Sequence, residues 1–321
     1  MTELKRQFPA LLDSTMRNDG VSCEKLFEYQ RVYGLSSMGG SVHLIAGGAF
    51  ALGCEVVRKC FYQDKMSEMD AIVEGVLAAW EHYGAFEPEE KYQSKSAVRV
   101  AYALVEYFTE YPPGADKIQP YFRADGKPAV EFEFSFPLEV LHPESGDPLL
   151  YGGRFDMVGE YMSSLWVVDE KTTTRLGPSW LKSFTLRGQL LGYVYAAQQF
   201  GLPVNGFIIR GLSFLSKYYG HAEVIEVVPP YVLERWREQI EVDAQRLVDS
   251  YKGGRFSYAF GEACNAYGGC PFKRLCDKEH WEDWWQQYYE IDYWNPLEKA
   301  DAKAKEDPTL EEMMRDKSFS S

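Results

Sequence analysis

The chain has 321 residues, of which 45% are hydrophobic and 15% aromatic, and its formal net charge is −14. This length and apolar content suffice for a large core, in one elaborated domain or two smaller ones. No stretch approaches the roughly 18 uninterrupted apolar residues of a membrane span, and the charged start MTELKRQFPALLDS lacks a signal-peptide core. We therefore expect a soluble, cytoplasmic protein that does not bind membranes and does not coat nucleic acid indiscriminately.

The charge is spread unevenly along the chain. Residues 277–321 hold 13 acidic and 6 basic side chains, a net charge of −7. Residues 151–220 hold 7 basic and 4 acidic side chains, a net charge of +3. The least acidic neighbourhood therefore lies in the middle of the chain, as a phosphate-binding surface requires.

Hydrophobic periodicity predicts helices in the first third of the chain and alternating strands and helices after it. This order predicts the α/β class, with a mixed central sheet flanked by helices. The predicted helices are 20–62 (interrupted at Gly39 and Gly40), 66–87, 94–110, Trp180–Phe200 and about 229–251, and the predicted strands are 129–138, 150–160, 165–173, 204–212 and 222–228.

The segment GGRFDMVGEYMSSLWVVDEKTTT, residues 152–174, places acids in an apolar hairpin. Alternate residues of a strand share a face, so Asp169 and Lys171 point one way and Glu170 the other. A turn near 161–164 can bring Asp156 of the partner strand close to Asp169. Converging carboxylates repel each other unless a cation or a proton lies between them, and carboxylate oxygens suit Mg²⁺ or Mn²⁺.

A lysine beside such a metal can face a phosphate group. The pattern therefore predicts a site for phosphate chemistry. The alternative is that Asp169 and Lys171 form an ordinary salt bridge on a strand.

GGRFDMVGE, LWVVDEKTTT and GQLLGYVYA together resemble the core of the PD-(D/E)xK nucleases, specifically the RecB-type exonuclease branch. The resemblance implies a restriction-endonuclease-like fold and hydrolysis of phosphodiester bonds. It implies that Asp156, Asp169 and the main-chain carbonyl of Glu170 hold one or two Mg²⁺ or Mn²⁺ ions. It also implies that Lys171 stabilises the charge that develops on the phosphate.

Four further positions match the branch. Gln189 and Tyr193 stand four residues apart on the following helix, where the resemblance implies that they position the nucleic acid strand or the lysine. His43, in GGSVHLIAGGAF, matches a histidine that ligates or flanks the metal in this branch, although a lone histidine near a helix start is more often structural. Glu131 stands where relatives often carry a glutamate on the first strand.

Three late cysteines are regularly spaced in CNAYGGCPFKRLC: Cys264, Cys270 and Cys276. Three thiolates leave a tetrahedral zinc or iron–sulfur site one ligand short, and Cys23 is the natural fourth. The segment SCEKLFEYQRVYGL resembles the opening of iron–sulfur RecB-type nucleases, such as AddB nuclease domains and CRISPR-adaptation exonucleases. This resemblance implies a [4Fe–4S] cluster that joins the N- and C-terminal segments. Relatives usually have proline after the first cysteine, where this chain has Glu24, and often have only two residues between the first two late cysteines, where this chain has five. Zinc is the alternative metal.

Taken together, the motifs predict a metal-dependent DNA exonuclease that prefers single-stranded ends and acts in recombination or repair, with a recombination protein as a possible partner. The alternatives are a non-catalytic subunit that retains the fold and a zinc-stabilised DNA-binding or assembly protein. The predicted segments are an N-terminal helical region (1–128), the nuclease core (129–252), an iron–sulfur module with an aromatic helix (253–294) and an acidic, flexible tail (295–321).

The segment HWEDWWQQYYEIDYW, residues 280–294, is rich in aromatic side chains at helical spacing. It predicts a helix that packs its aromatic face on the cysteine module or the nuclease core. Stacking on nucleic acid bases is the alternative, which the interleaved acids disfavour.

Overall fold

A computed structural model describes residues 4–38, 41–214, 218–265 and 269–294. These residues form two compact units. Unit 1 contains the described residues of 4–38, 135–153 and 234–294, and unit 2 contains those of 41–134 and 154–233. The four segments expected from the sequence stay a prediction, and the expected tail at 295–321 and the interruption at 39–40 lie outside the described residues.

Helices and strands alternate from the middle of the chain onward, as the sequence predicts. The helices are α1 (Ser14–Ser22), α2 (Glu24–Phe27), α3 (Val42–Arg58), α4 (Glu68–Tyr83), α5 (Ala97–Glu110), α6 (Pro178–Lys182), α7 (Gly188–Gln199), α8 (Pro230–Lys252) and α9 (Lys273–Cys276). The strands are β1 (Leu11–Leu12), β2 (Leu35–Ser37), β3 (Gln119–Pro120), β4 (Val130–Leu141), β5 (Pro148–Tyr161), β6 (Ser164–Thr173), β7 (Val204–Phe214), β8 (Tyr219–Val227) and β9 (Tyr289–Ile291).

The sheet of unit 2 is mixed. Strand β5 pairs antiparallel with β6, β6 runs parallel to β7, and β7 pairs antiparallel with β8. Tyr161 pairs with Ser164, so the loop between β5 and β6 contains only Met162 and Ser163, which adopt φ angles of 49° and 59°. Two consecutive positive φ angles give the turn whose twist matches that of the strands. The hairpin predicted at residues 150–173 is therefore confirmed.

Helices flank this sheet, because α3 and β6, α5 and β7, and α7 and both β6 and β7 are in contact. Helices α3 and α4 approach closely where two glycines face each other. A Cβ atom at Gly75 would lie 2.7 Å from the carbonyl oxygen of Gly53, closer than real Cβ contacts allow. Phe50, Leu104 and Leu212 belong to the buried core beside this crossing. The predicted mixed sheet with flanking helices is thus confirmed within unit 2.

Two predicted helices are interrupted. The helix expected from Trp180 to Phe200 is divided into α6 and α7, because Leu186 adopts a left-handed φ of 59° through which a right-handed helix cannot continue. The helical region expected at 20–62 contains the short strand β2, which pairs antiparallel with β9.

Unit 1 contains a cluster of buried aromatic and aliphatic side chains. Its members include Tyr29, Phe272, Trp281, Trp285 and Tyr289. The helix predicted over 280–294 is wrong: the segment forms short 3₁₀ turns and then strand β9, because pairing with β2 provides the backbone hydrogen bonds that a helix would otherwise make. Trp281, Trp285 and Tyr289 nevertheless pack in one cluster with Cys270 and Cys276.

In the described part of the chain, no helix has both the length and the apolar content that crossing a membrane requires.

Candidate active site and cysteine cavity

The antiparallel register of β5 and β6 brings the two predicted aspartates together. Met157 lies opposite Val168, and the next residues along the two strands are Asp156 and Asp169. The main-chain N–H of Glu170 donates a hydrogen bond of 2.9 Å to Oδ2 of Asp156. Asp156 is therefore tied directly to the segment that contains Asp169 and Lys171.

Lys171 faces Asp169, as the strand alternation predicts. Its Nζ atom lies 2.8 Å from Oδ1 and 2.6 Å from Oδ2 of Asp169, whose side chain is fully buried. The Lys171 side chain is 27% exposed, so its ammonium group lies at the edge of the buried site. Two carboxylates and one ammonium group thus form a single constellation within unit 2.

The surroundings of both carboxylates disfavour their charged forms. Burial, and then the charge of Asp169, raises the pKa of Asp156 to about 7. Burial likewise raises the pKa of Asp169, against the opposing effect of Lys171. Burial disfavours the ammonium form of Lys171, but the charges of Asp169 and Asp156 outweigh it and raise the pKa of Lys171. Lys171 is therefore charged. Its single positive charge cannot balance the negative charges of both carboxylates.

Glu131 belongs to the same acidic neighbourhood. Burial and then the charge of Asp156 raise the pKa of Glu131 well above its ordinary value. Its Oε2 atom lies 2.9 Å from Nε of Arg154, and Glu55 of α3 adds further negative charge. Glu131 also adopts a φ of 48°, a left-handed conformation that is costly for a residue with a side chain. Such strain at a buried acid is typical of functional sites.

The side chain of Glu170 lies apart from those of its two neighbours and is anchored by helices. It forms a buried ion pair with Arg58 of α3, in which Nη1 lies 3.2 Å from Oε2, and it accepts a 2.9 Å hydrogen bond from the hydroxyl of Tyr107 of α5. Burial alone would raise the pKa of Glu170, but Arg58, Arg210 and Tyr107 together outweigh it and lower that pKa. This anchor fixes the strand at the residue between Asp169 and Lys171.

Gln189 and Tyr193 share a face of α7, as their spacing predicts. The amide Nε2 of Gln189 donates a 3.0 Å hydrogen bond to the Tyr193 hydroxyl. The Tyr193 ring packs against Phe134 and Phe155, the residue before Asp156. Their predicted role in positioning the nucleic acid or the lysine stays a prediction.

His43 lies in the first turn of α3, as expected. Its Nδ1 atom lies 2.8 Å from Nζ of the buried Lys95, and its ring packs edge-on against Tyr92. Burial and then the charge of Lys95 lower the pKa of His43, which favours the neutral ring. The role of His43 as a metal ligand stays a prediction.

The four predicted cluster cysteines line one cavity of unit 1. Cys23 lies between α1 and α2, Cys264 ends a 3₁₀ turn, and Cys276 ends α9. These three and Cys270 line the cavity together with Tyr29, and all four thiols are free of disulfides. Burial, and then the charges of the neighbouring cysteines, raise the pKa of Cys276 to about 11.

A donor set of four neighbouring thiols in a half-buried cavity fits a thiolate-ligated metal centre. Among the described residues, however, no three or more His, Cys, Asp or Glu side chains converge closely enough to hold a single metal ion. The carboxylate site agrees with this, since Mg²⁺ commonly takes only one or two carboxylates and fills its other positions with water and phosphate oxygens.

The sequence analysis missed several residues whose charges or hydrogen bonds reach these acids: Glu55, Arg58, Tyr107 and Arg154. Arg154 carried a usable signal, because it precedes Asp156 by two residues on a predicted strand. The others come from helices distant in sequence, and only tertiary packing places them at the site.

The chain matches the family model for the PD-(D/E)XK nuclease superfamily over residues 20–277, and it belongs to that superfamily. A search of curated proteins finds no match. Among solved structures, the chain is similar to a "Putative exonuclease" from Eubacterium rectale, with 13% identity, a TM-score of 0.45 and coverage of 79% of this chain and 87% of that one. It is also similar to the protein SSO0001, with 16% identity, a TM-score of 0.31 and coverage of 70% and 84%.

Replacing Asp156 with asparagine should stabilise the protein in EDTA. Because the pKa of Asp156 is raised to about 7, the folded state retains a proton that the unfolded chain releases nearer pH 4, so stability falls as the pH rises through this window. Asparagine keeps the acceptor for the Glu170 N–H and removes the charge. The gain should be about 1–2 kcal/mol larger at pH 8 than at pH 5.5, as measured by urea unfolding. Equal gains at both pH values would contradict the assignment.

Replacing Arg58 with methionine should lower the free energy of unfolding by about 3–5 kcal/mol, because it leaves the Glu170 carboxylate buried without its cation. The double variant Arg58→Met, Glu170→Met removes both charges and should recover most of that loss. Urea denaturation measures both effects. Lys91→Met, at the exposed pair with Glu89, serves as the control and should leave stability unchanged. A double variant no more stable than the single one would show that the ion pair is not what Arg58 contributes.

Proposed function

We propose that the protein is a Mg²⁺- or Mn²⁺-dependent DNA exonuclease of the RecB-type branch. The observation that carries the proposal is the convergence of two buried carboxylates and a charged lysine on the hairpin of β5 and β6. A structural salt bridge explains the contact between Lys171 and Asp169, but it does not explain the second buried carboxylate, Asp156, with its raised pKa. Perturbed pairs of this kind are typical of functional sites.

The residues divide the chemistry among them. When bound, Mg²⁺ or Mn²⁺ supplies a Lewis acid that makes water more acidic and offsets charge on phosphate oxygens. Asp156 and Asp169 would hold it, with the main-chain carbonyl of Glu170 as a further ligand and Glu131 and His43 beside them. The Lys171 ammonium would stabilise the negative charge that develops as the phosphodiester bond breaks. Gln189 and Tyr193 would orient the nucleic acid strand or the lysine.

The basic balance of residues 151–220 supports a nucleic acid substrate at this site, because phosphate binding needs local positive charge within an otherwise acidic chain. We further propose a preference for single-stranded ends and a role in recombination or repair. Both parts rest on the resemblance to the RecB-type branch. The same proposal divides the chain into a helical region (1–128), a nuclease core (129–252) and a cysteine module (253–294).

We also propose that Cys23, Cys264, Cys270 and Cys276 bind a [4Fe–4S] cluster. In such a cluster each thiolate binds a different iron atom, so the sulfurs surround a volume rather than a point. Their placement around one cavity supports a shared metal centre, and the resemblance to iron–sulfur RecB-type nucleases favours a cluster over zinc.

The second candidate is a non-catalytic or zinc-stabilised DNA-binding or assembly subunit. A subunit that had lost its activity would be free to lose its buried acids, which are costly to keep without a cation. Asp156, Asp169 and Lys171 are all present. Lys171 pairs with Asp169, and Asp156 accepts a hydrogen bond from the Glu170 N–H between them, which favours the enzyme.

The activity test uses oligonucleotides, single- and double-stranded and labelled at either end, incubated with Mn²⁺ or Mg²⁺. The protein should shorten them from an end, and Asp169→Ala or Lys171→Ala should reduce the rate at least about 100-fold. Lys117→Ala, at a half-exposed lysine paired with Glu223, should retain the rate. Circular dichroism checks that each variant is folded. Undiminished activity in either site variant would refute the assigned roles, and internal cuts without shortening would replace exonuclease by endonuclease.

Replacing Cys264 with serine should remove the cluster and lower the melting temperature together, since metal binding at such sites is coupled to folding. The measurements are iron and zinc content, visible absorbance and thermal melting. Cys60→Ser, a partly buried cysteine of the unit 2 core, is the matched control and should keep the iron. Stoichiometric zinc in a colourless wild-type protein would select the second candidate, and unchanged iron in the Cys264 variant would remove Cys264 from the site.

A further inference from the structure

Helices α4 and α5 of unit 2 expose large apolar side chains. On α4 these follow one another at intervals of three or four residues, so they form a stripe along one face. Its members are Met69, Val73, Leu77 and Trp80, which are 70%, 48%, 57% and 50% exposed. Val98, Tyr102 and Val105 form a similar exposed stripe on α5.

A groove lies along these two helices. It is lined by the stripe residues Met69, Val73, Leu77 and Val105, and by side chains beneath them such as Ile72, Val76 and Phe108. Exposed apolar patches of this extent mark interaction sites in soluble proteins. A binding partner of this groove should therefore present an apolar face.

The charges around the groove are almost all negative. Helices α4 and α5 contain six acidic side chains and one basic side chain, Arg99. On α4, exposed Asp70, Glu74 and Glu81 directly follow Met69, Val73 and Trp80, so helical geometry places them along the edge of the stripe. Glu106 and Glu110 are similarly exposed on α5.

We propose that this groove binds an amphipathic helix of a partner protein, with an apolar face flanked by lysine and arginine. Such a helix buries residues at i, i+3 or i+4, and i+7 in the groove, as in other helix-in-groove complexes. Its basic flanks meet the acidic edges, which speeds association and selects against acidic partners. The surface lies outside the carboxylate constellation and does not depend on the chemistry performed there.

Charge disfavours the other occupants. Nucleic acid phosphates are repelled by the acidic edges. A second copy packed about a two-fold axis sets the same acidic edges against each other. The C-terminal segment 295–321 contains seven acidic and five basic residues, a net charge of −2, so it does not complement the groove.

The test uses the full-length protein and a fluorescein-labelled helical peptide with leucine at i, i+3, i+4 and i+7 and lysine along both flanks. Fluorescence anisotropy at physiological salt measures its affinity. Two control peptides carry glutamate in place of lysine, or serine in place of leucine. The protein variants are Val73→Lys and Leu77→Lys, with Val227→Lys, 64% exposed on β8, as the matched control.

The basic peptide should bind the wild-type protein and the Val227 variant equally, and the Val73 and Leu77 variants at least about tenfold more weakly. Both control peptides should also bind at least about tenfold more weakly. No binding of the basic peptide, or equal binding to all variants, would overturn the proposal. Equal binding of the serine peptide would also overturn it, as would displacement of the basic peptide by a peptide of residues 307–321. In sedimentation, a wild-type dimer that Leu77→Lys converts to a monomer would overturn it as well.

Discussion

The structure of unit 2 is organised around two buried carboxylates that repel each other. Asp156 and Asp169 occupy adjacent positions on antiparallel strands, and Asp169 has no exposed surface. Folding must remove both groups from water, which is unfavourable unless positive charge or hydrogen bonds compensate. Lys171 and the main-chain N–H of Glu170 provide part of that compensation. The raised pKa of Asp156 indicates that these groups compensate the two negative charges only in part, and a divalent cation would compensate the remainder.

The rest of unit 2 holds this arrangement rigid. Glu170 is anchored by Arg58 and Tyr107 on the opposite face, which holds Asp169 and Lys171 on the face of the strand that they share. A second buried arginine, Arg210 on the neighbouring strand β7, makes a two-pronged ion pair with Asp116. Buried ion pairs add little net stability compared with apolar packing, but breaking one is costly.

The cysteine cavity brings distant parts of unit 1 together. Cys23 is separated by 241 residues from Cys264, yet both line one cavity. The proposed metal centre would close a very long loop of chain, and its binding free energy would contribute to folding. The buried rings of Tyr29 and Phe272, which are in contact, form an apolar wall beside the thiols. That wall limits the access of water, which is a condition for a long-lived iron–sulfur centre.

Residue pattern alone determined the hairpin and the directions of its side chains, because the two-residue period of a strand leaves no choice once the turn is placed. It likewise determined the shared face of Gln189 and Tyr193 through the helical period. Only the tertiary structure decided which distant helices reach the site. Arg58 and Tyr107 lie 112 and 63 residues from Glu170, the residue that they anchor, and local periodicity carries no information about such contacts. For the same reason residues 280–294, which have a helical spacing of aromatic residues, form 3₁₀ turns and a strand: pairing of β9 with the distant β2 outweighs local preference.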